Sequence, residues 1–242
     1  FFTKNPDLNL IYKGAGISVN NLFKKEISNE PLLKLKGITK YFGYVHALDN
    51  VDLDINQGEI MALVGDNGAG KSTLVKIASG SLDYDQGNIE LRGNKIKFKG
   101  PRDANSNGIS MLYQDLSLVE PRDVAANLFL GKEPTHWGWY VDRKRMIEGS
   151  QLMLEGLRMK IPSPKTTVQY LSGGQRQGVA IARAVTQGAS LLILDEPTAA
   201  LGVQETKQVL SLIEELKNIG CTILIISHNL HHVFSIADRI TV

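Results

Sequence analysis

Cysteine is almost missing from this chain: Cys221 stands alone among 242 residues, so no internal disulfide framework is available. That suits a reducing compartment. Cys221 lies in an apolar run and reads as a buried, inert thiol. Long hydrophobic runs are missing too, and none approaches the roughly 18 to 20 apolar residues that span a bilayer. Work at a membrane would have to go through an embedded partner. Excess charge is also missing: the formal balance of +2 is too small to argue for nucleic acid or an anionic membrane surface. The first residues lack the charged segment and apolar core of a signal peptide. Because the chain opens on Phe1 rather than Met, the true start is expected to be either missing or processed. The length allows one large domain or two small ones.

What is present centres on Gly65, Asp66, Asn67, Gly68, Ala69, Gly70, Lys71 and Ser72, followed by Thr73. The apolar run Ile60 to Val64 precedes them as a predicted buried strand, and Thr73 to Ala78 follows as a predicted helix. A Gly-x-x-x-x-Gly-Lys-Ser loop between strand and helix is the context of a P-loop. Gly65 and Gly70 permit backbone conformations that a Cβ would block. Successive N–H groups then form a nest for phosphate oxygens, at the partly positive start of the helix. In such a loop Lys71 reaches the β- and γ-phosphates and the Ser72 hydroxyl sits on magnesium. The plainer alternative is a glycine-rich turn with a solvated lysine.

Along the chain, residues 1–30 are polar and irregular and read as an extension. Leu32 to Lys36 is a predicted short strand, with Gly37 to Gly43 running into a turn, and Val45 to Ile55 is a half-buried strand. These strands suggest an antiparallel layer ahead of the P-loop. Ser81 to Asn88 reads as a loop, and Ile89 to Phe98 as a hairpin turning at Gly93-Asn94. Gly108 to Tyr113 is a strand and Val124 to Leu130 a helix. The aromatics Trp137, Trp139 and Tyr140 fit packing or partner contacts better than a cofactor box. Asp142 caps a helix bearing Met146, Ile147, Leu152, Met153, Leu154 and Leu157 on one face, ended by Ile161-Pro162-Ser163-Pro164. Arg176 to Gln187 and Gln204 to Asn218 are helical, and Gly220 ends the second. Leu191 to Leu194 and Cys221 to Ile226 are buried strands. A helix from Leu230 to Ala237 leads into the start of a further strand.

Several residues at element ends carry two readings each. Phe42 is either a ring that stacks on a base or a strand-end hydrophobe. Gln114 is a magnesium or water ligand, or an exposed loop amide. Ser172, Gly173, Gly174 and Gln175 open a helix and form either a second anion cradle or a simple cap. Asp195 and Glu196 follow a buried strand, at the carboxyl edge where open α/β sheets bind ligands. They serve magnesium and a water, or merely cap the strand. His228 is structural, or it senses a γ-phosphate.

Taken together and in this order, the motifs resemble those of the ATP-binding subunit of ABC transporters, from about Pro31 to Val242. Gly65 to Ser72 matches Walker A, Gln114 the Q-loop, and Leu171 to Gln175 the signature. Leu191 to Glu196 matches Walker B with its catalytic acid, His228 the switch histidine, and Phe42 the base-stacking aromatic. Stretches such as Thr198 to Val203 look like those of simple-sugar importers. Gly202 departs from the family's usual Asp and leaves open the cross-dimer contact that Asp would make.

The resemblance implies an α/β fold of the P-loop NTPase, ABC type. It comprises a mostly parallel core sheet with flanking helices, an antiparallel β subdomain and a helical subdomain at about 117–176. It implies ATP with Mg2+, held by Ser72, Gln114 and Asp195. Lys71, Glu196 and His228 would carry the hydrolysis, and Ser172 to Gln175 would cover the γ-phosphate on a second copy of the chain. Transmembrane permease subunits, a second ATP-binding subunit and, indirectly, a solute-binding protein are the implied partners. Nucleic acid is not among them. The place of action is the cytoplasmic face of the cell membrane, and the cargo a small solute, a monosaccharide on this resemblance. The alternatives are a soluble ABC ATPase of DNA repair or translation, and a regulatory module that binds ATP without hydrolysing it.

Overall fold

The computed structural model describes residues 31–242, and the extension read over residues 1–30 lies outside the described residues. Two compact units emerge. The described part of one comprises residues 31–113, Ser190–Pro197 and Lys217–Val242; that of the other comprises Gln114–Ala189 and Thr198–Leu216.

The first unit holds two sheets. Strands β1 (Leu33–Phe42), β2 (Val45–Ile55), β4 (Gln86–Leu91) and β5 (Asn94–Ile96) form an antiparallel sheet in the order β2-β1-β4-β5. β1 runs through Gly37 to Phe42 instead of turning there, because three register slips against β2 absorb the extra residues as bulges. β4 begins at Gln86, inside the stretch read as a loop. The hairpin turn falls at Arg92-Gly93, one residue earlier than the sequence suggests, since Leu91 already pairs with Asn94. Both turn residues have positive φ, 50° and 74°, the requirement of a type I′ hairpin turn.

The second sheet is parallel: β3 (Ile60–Leu63), β6 (Ile109–Leu112), β9 (Leu191–Asp195), β10 (Thr222–Ile226) and β11 (Arg239–Thr241), in the order β11-β3-β10-β9-β6. Its strands are near-continuous apolar runs because both faces are covered. Helix α1 (Lys71–Ala78) contributes Leu74, Val75 and Ile77 to a single core with Leu33, Leu35 and Ile55 of the antiparallel sheet and Met61, Leu191, Ile193 and Leu224 of the parallel one. On another face, Val233 of α7 (Leu230–Ile236) packs with Ala62 and Val64. A short helix α2 (Pro101–Ser106), absent from the sequence reading, starts with Pro at its first position.

The second unit is helical: α3 (Val124–Leu128), α4 (Arg143–Gly156), α5 (Gly173–Thr186) and most of α6 (Val203–Asn218). Asp123 and Asp142 cap α3 and α4 through bonds from the Ala126 and Arg145 amides. α4 ends at Gly156, before the proline stretch expected to stop it. Arg158, at φ 51°, reverses the chain, and the Met159 N–H reaches the Leu154 carbonyl at 2.8 Å, closing the helix as a Schellman motif does. Between α3 and α4 a minimal hairpin, β7 (Thr135–His136) and β8 (Tyr140–Val141), lifts three aromatic residues into solvent. Trp137, Trp139 and Tyr140 are 90%, 87% and 72% exposed, so of the two readings of this loop, internal packing is excluded.

Candidate nucleotide site

The loop from Gly65 to Gly70 leaves β3 and enters α1 as the sequence requires. Gly70 is the N-cap of α1 at φ 87°, and a Cβ there would lie 2.8 Å from the Ala47 carbonyl oxygen. The position is closed to other residues twice, by backbone conformation and by the approach of β2. No side chain caps α1, so its first-turn amides depend on a ligand or solvent, and residues 66–69 are exposed. Lys71 folds over the loop, its Nζ donating to the carbonyls of Gly65 and Asp66 at 2.7 Å each. The ammonium is thereby held at the mouth of an open amide cradle, with Ser72 exposed beside it.

β9 brings acids to the same sheet edge. Leu191 to Leu194 are fully buried, and an unpaired carboxylate among them would cost several kcal/mol. The acids can therefore stand only where the strand emerges, at Asp195 and Glu196. Burial and the neighbouring charge of Glu196 push the Asp195 carboxyl up from its ordinary range, while Lys76 and Lys71 pull it back. Glu196 sits at φ 51°, fixed by its N–H bond to the Ile226 carbonyl at 2.9 Å. Its Oε1 accepts the His228 backbone N–H at 3.1 Å and lies 2.7 Å from His228 Nδ1. Asn229, next in the chain, caps α7 with its side chain and so fixes the turn that carries His228.

This donor set fits magnesium. Ser72 and Asp195 are hard oxygen ligands, and a cation would relieve the burial and repulsion that raise Asp195. Among the described residues no group of three or more His, Cys, Asp or Glu could hold a metal by itself.

Phe42 is half exposed at the end of the β1–β2 hairpin, with Lys40 Nζ 5.7 Å from its ring centre. The strand end is pinned by Asp85, which accepts the Tyr41 N–H at 2.7 Å and Lys40 Nζ at 3.1 Å. Gln114 is exposed two residues beyond β6. Both of its readings stand.

The remaining site residues lie in the helical unit. Ser172 and Gln175 form a full capping box at the start of α5: the Gln175 N–H reaches Ser172 Oγ at 3.3 Å and the Ser172 N–H reaches Gln175 Oε1 at 2.9 Å. The sequence reading missed Glu205, whose carboxylate accepts the Gly174 and Gly202 amides at 3.3 and 3.2 Å. Its signal was available: an acid three residues after a helix start reaches back to the cap. Cys221 is buried, and burial pushes its thiol up to about 12, as expected of an inert side chain.

The ABC transporter family profile matches residues 48–199. The chain is 47% identical over 211 residues to a xylose/arabinose import ATP-binding protein of Sulfolobus acidocaldarius, covering 87% of this chain and 84% of that one. It is 45% identical over 221 residues to a fructose import ATP-binding protein of Rhizobium meliloti, covering 88% and 85%. Among solved structures it resembles an ABC transporter ATP-binding cassette in its ADP conformation, with a TM-score of 0.77, 28% identity, and 88% and 87% coverage. It also resembles a dimeric cassette in a post-hydrolysis state with ADP and Pi, with a TM-score of 0.67, 25% identity, and 83% and 89% coverage. P-loop, strand-end acids, signature helix and family match agree: this chain belongs to the ABC transporter family, as an ATP-binding cassette.

Proposed function

We propose that this chain is the ATP-hydrolysing subunit of an importer for a monosaccharide. The observation that carries the hydrolytic part is the Glu196–His228 pair, 2.7 Å apart in the same unit as the open P-loop. The sugar part is supported by relatives named for pentose and hexose import, similar over most of both chains.

In this reading the amides of residues 65–70 and Lys71 bind the phosphates, and Phe42 stacks on the base. Ser72, Asp195 and Gln114 would hold magnesium, which supplies positive charge against the phosphate oxygens. Glu196 orients or deprotonates the attacking water, and His228 keeps the Glu196 carboxylate aimed. Phosphoryl transfer asks mainly for positioning and charge stabilisation, which this set supplies. Ser172, Gly173 and Gly174 would cover the γ-phosphate held by a second copy of the chain, with Gln175 bracing them. ATP then becomes part of a dimer interface, and its hydrolysis drives permease subunits on the cytoplasmic face of the membrane. Among the described residues no helix is long and apolar enough to cross a membrane, so the spanning part is assigned to those partners. The soluble repair or translation alternative has no support among these relatives.

Co-purification from gently solubilised membranes tests the reading. Recovery of a multispanning permease is expected, with uptake of one sugar lost on deletion. Recovery of only ribosomes, nucleic acid or soluble proteins would overturn it.

A further inference from the structure

The donors at the start of α5 are not waiting empty. Glu205 Oε1 takes the Gly174 N–H at 3.3 Å, and both oxygens of this carboxylate lie 3.6 Å from where a Cβ on Gly173 would stand. Its other oxygen takes the Gly202 N–H. The Gly202 and Gly174 amides, followed by Ser172, hold the carboxyl below its ordinary range. Gly174 is shaped by the same contact, since a Cβ there would lie 2.9 Å from the Glu205 Cβ and 3.1 Å from its Cα. One of the donors assigned above to a γ-phosphate, the Gly174 amide, therefore already holds an anion of this chain's own.

We propose that Glu205 is an internal stand-in for phosphate, holding the Gly174 amide at the start of α5 in the free chain and yielding it to the nucleotide on a second copy. This rests on the composite site proposed above. The Gly174 amide cannot serve a carboxylate and a phosphate together, because like charges a few ångströms apart each disfavour the other. Glu205 has somewhere to go. Its Oε2 bond to Gly202 N–H lies at the start of α6, where an acid is favoured by the helix end, so the side chain can fall back on that contact alone. Gly202 suits this retreat: a Cβ there would come within 3.9 Å of Glu205 Oε2, and the carboxylate of an aspartate would add a second charge.

The exchange sets how readily two copies close on ATP. The test uses the full chain in a Glu196→Gln background, with dimerisation measured by sedimentation at several ATP concentrations. Adding Glu205→Gln keeps an acceptor but removes the charge, and should tighten the ATP-dependent dimer about three- to tenfold. Glu205→Ser, which also removes the reach, should shift it in the same direction. Loss of mere structural support would loosen the dimer instead. ATP affinity of the monomer, read at protein concentrations below dimerisation, should stay within about twofold, since the P-loop lies in the other unit. An unchanged or weaker dimer in both variants overturns the exchange. Absence of an ATP-dependent dimer in the Glu196→Gln parent would overturn the composite site itself, a separate result.

Discussion

His228 Nδ1 lies 2.7 Å from Glu196 Oε1, and the same oxygen accepts the His228 backbone N–H at 3.1 Å. One carboxylate oxygen is thus fixed from two directions. The contact joins the ends of two neighbouring parallel strands, since Asp195 pairs with Ile226. Any shift of β10 against β9 would re-aim the acid.

His228→Ala removes the ring and leaves the backbone contact. Turnover should fall about 100-fold, the lower end for a positioned proton-handling group, with ATP affinity within about twofold. Steady-state kinetics alongside nucleotide titration would check it; unchanged turnover would mean that the ring does not aim Glu196.

Glu196→Gln should bind ATP normally and lose about 10²- to 10⁴-fold in hydrolysis, accumulating an ATP-bound dimer. Single-turnover phosphate release measures this directly. Wild-type release would remove Glu196 from the catalytic role.

Lys71→Ala removes the side chain that folds over the loop's carbonyls at Gly65 and Asp66. Nucleotide affinity should drop about 10- to 100-fold, the scale of one charge-assisted contact of roughly 1.5–3 kcal/mol. Equilibrium titration with a fluorescent ATP analogue reads the loss.

Ser172→Arg places a long cation where a second copy's phosphate would meet α5. Hydrolysis should fall at least about tenfold while the monomer's ATP affinity stays within about twofold, a contrast expected only of a shared site. Full activity in this variant would refute composite sites.

Acid stability should depend on Asp238. Burial raises its carboxyl, but the Lys217 hydrogen bond, the Ile60 amide and the Lys217 charge outweigh that and hold it below its ordinary range. A depressed folded pKa contributes stability that is present above the ordinary value and lost as pH falls through the folded one. Asp238→Asn should therefore lower Tm at neutral pH by about 1 to 3 °C, modest because the pair is partly solvated, and flatten the loss below about pH 4. Thermal melts from pH 7 to 3 would show it.

Much of the fold and of the candidate site was legible, because the signals were local. Glycines at 65 and 70, an apolar strand before them and a helix after them allow little else. Where the reading slipped, the winning effect was less local. Bulges against β2 carried β1 past Gly37, which looked like a turn residue. Arg92 took a positive φ that Asn94 seemed better suited to supply. Arg158 closed α4 without the expected proline or a glycine. The helix at Pro101–Ser106 went unread, although proline favours the first position of a helix. Glu205 escaped notice because its partner Gly174 lies 31 residues away and meets it only when α5 and α6 pack.

Both tryptophans of the chain, Trp137 and Trp139, stand on one solvent-facing hairpin far along the sequence from the P-loop. Intrinsic indole emission therefore has a single address. It should be red-shifted and readily quenched by iodide or acrylamide in the native state, and change little when the buried sheets melt. Denaturation curves followed by this signal would report the fraying of one loop, so loss of the core has to be tracked by circular dichroism. The same isolation makes the hairpin a ready-made optical probe: a blue shift on adding a candidate partner would locate the contact without any label.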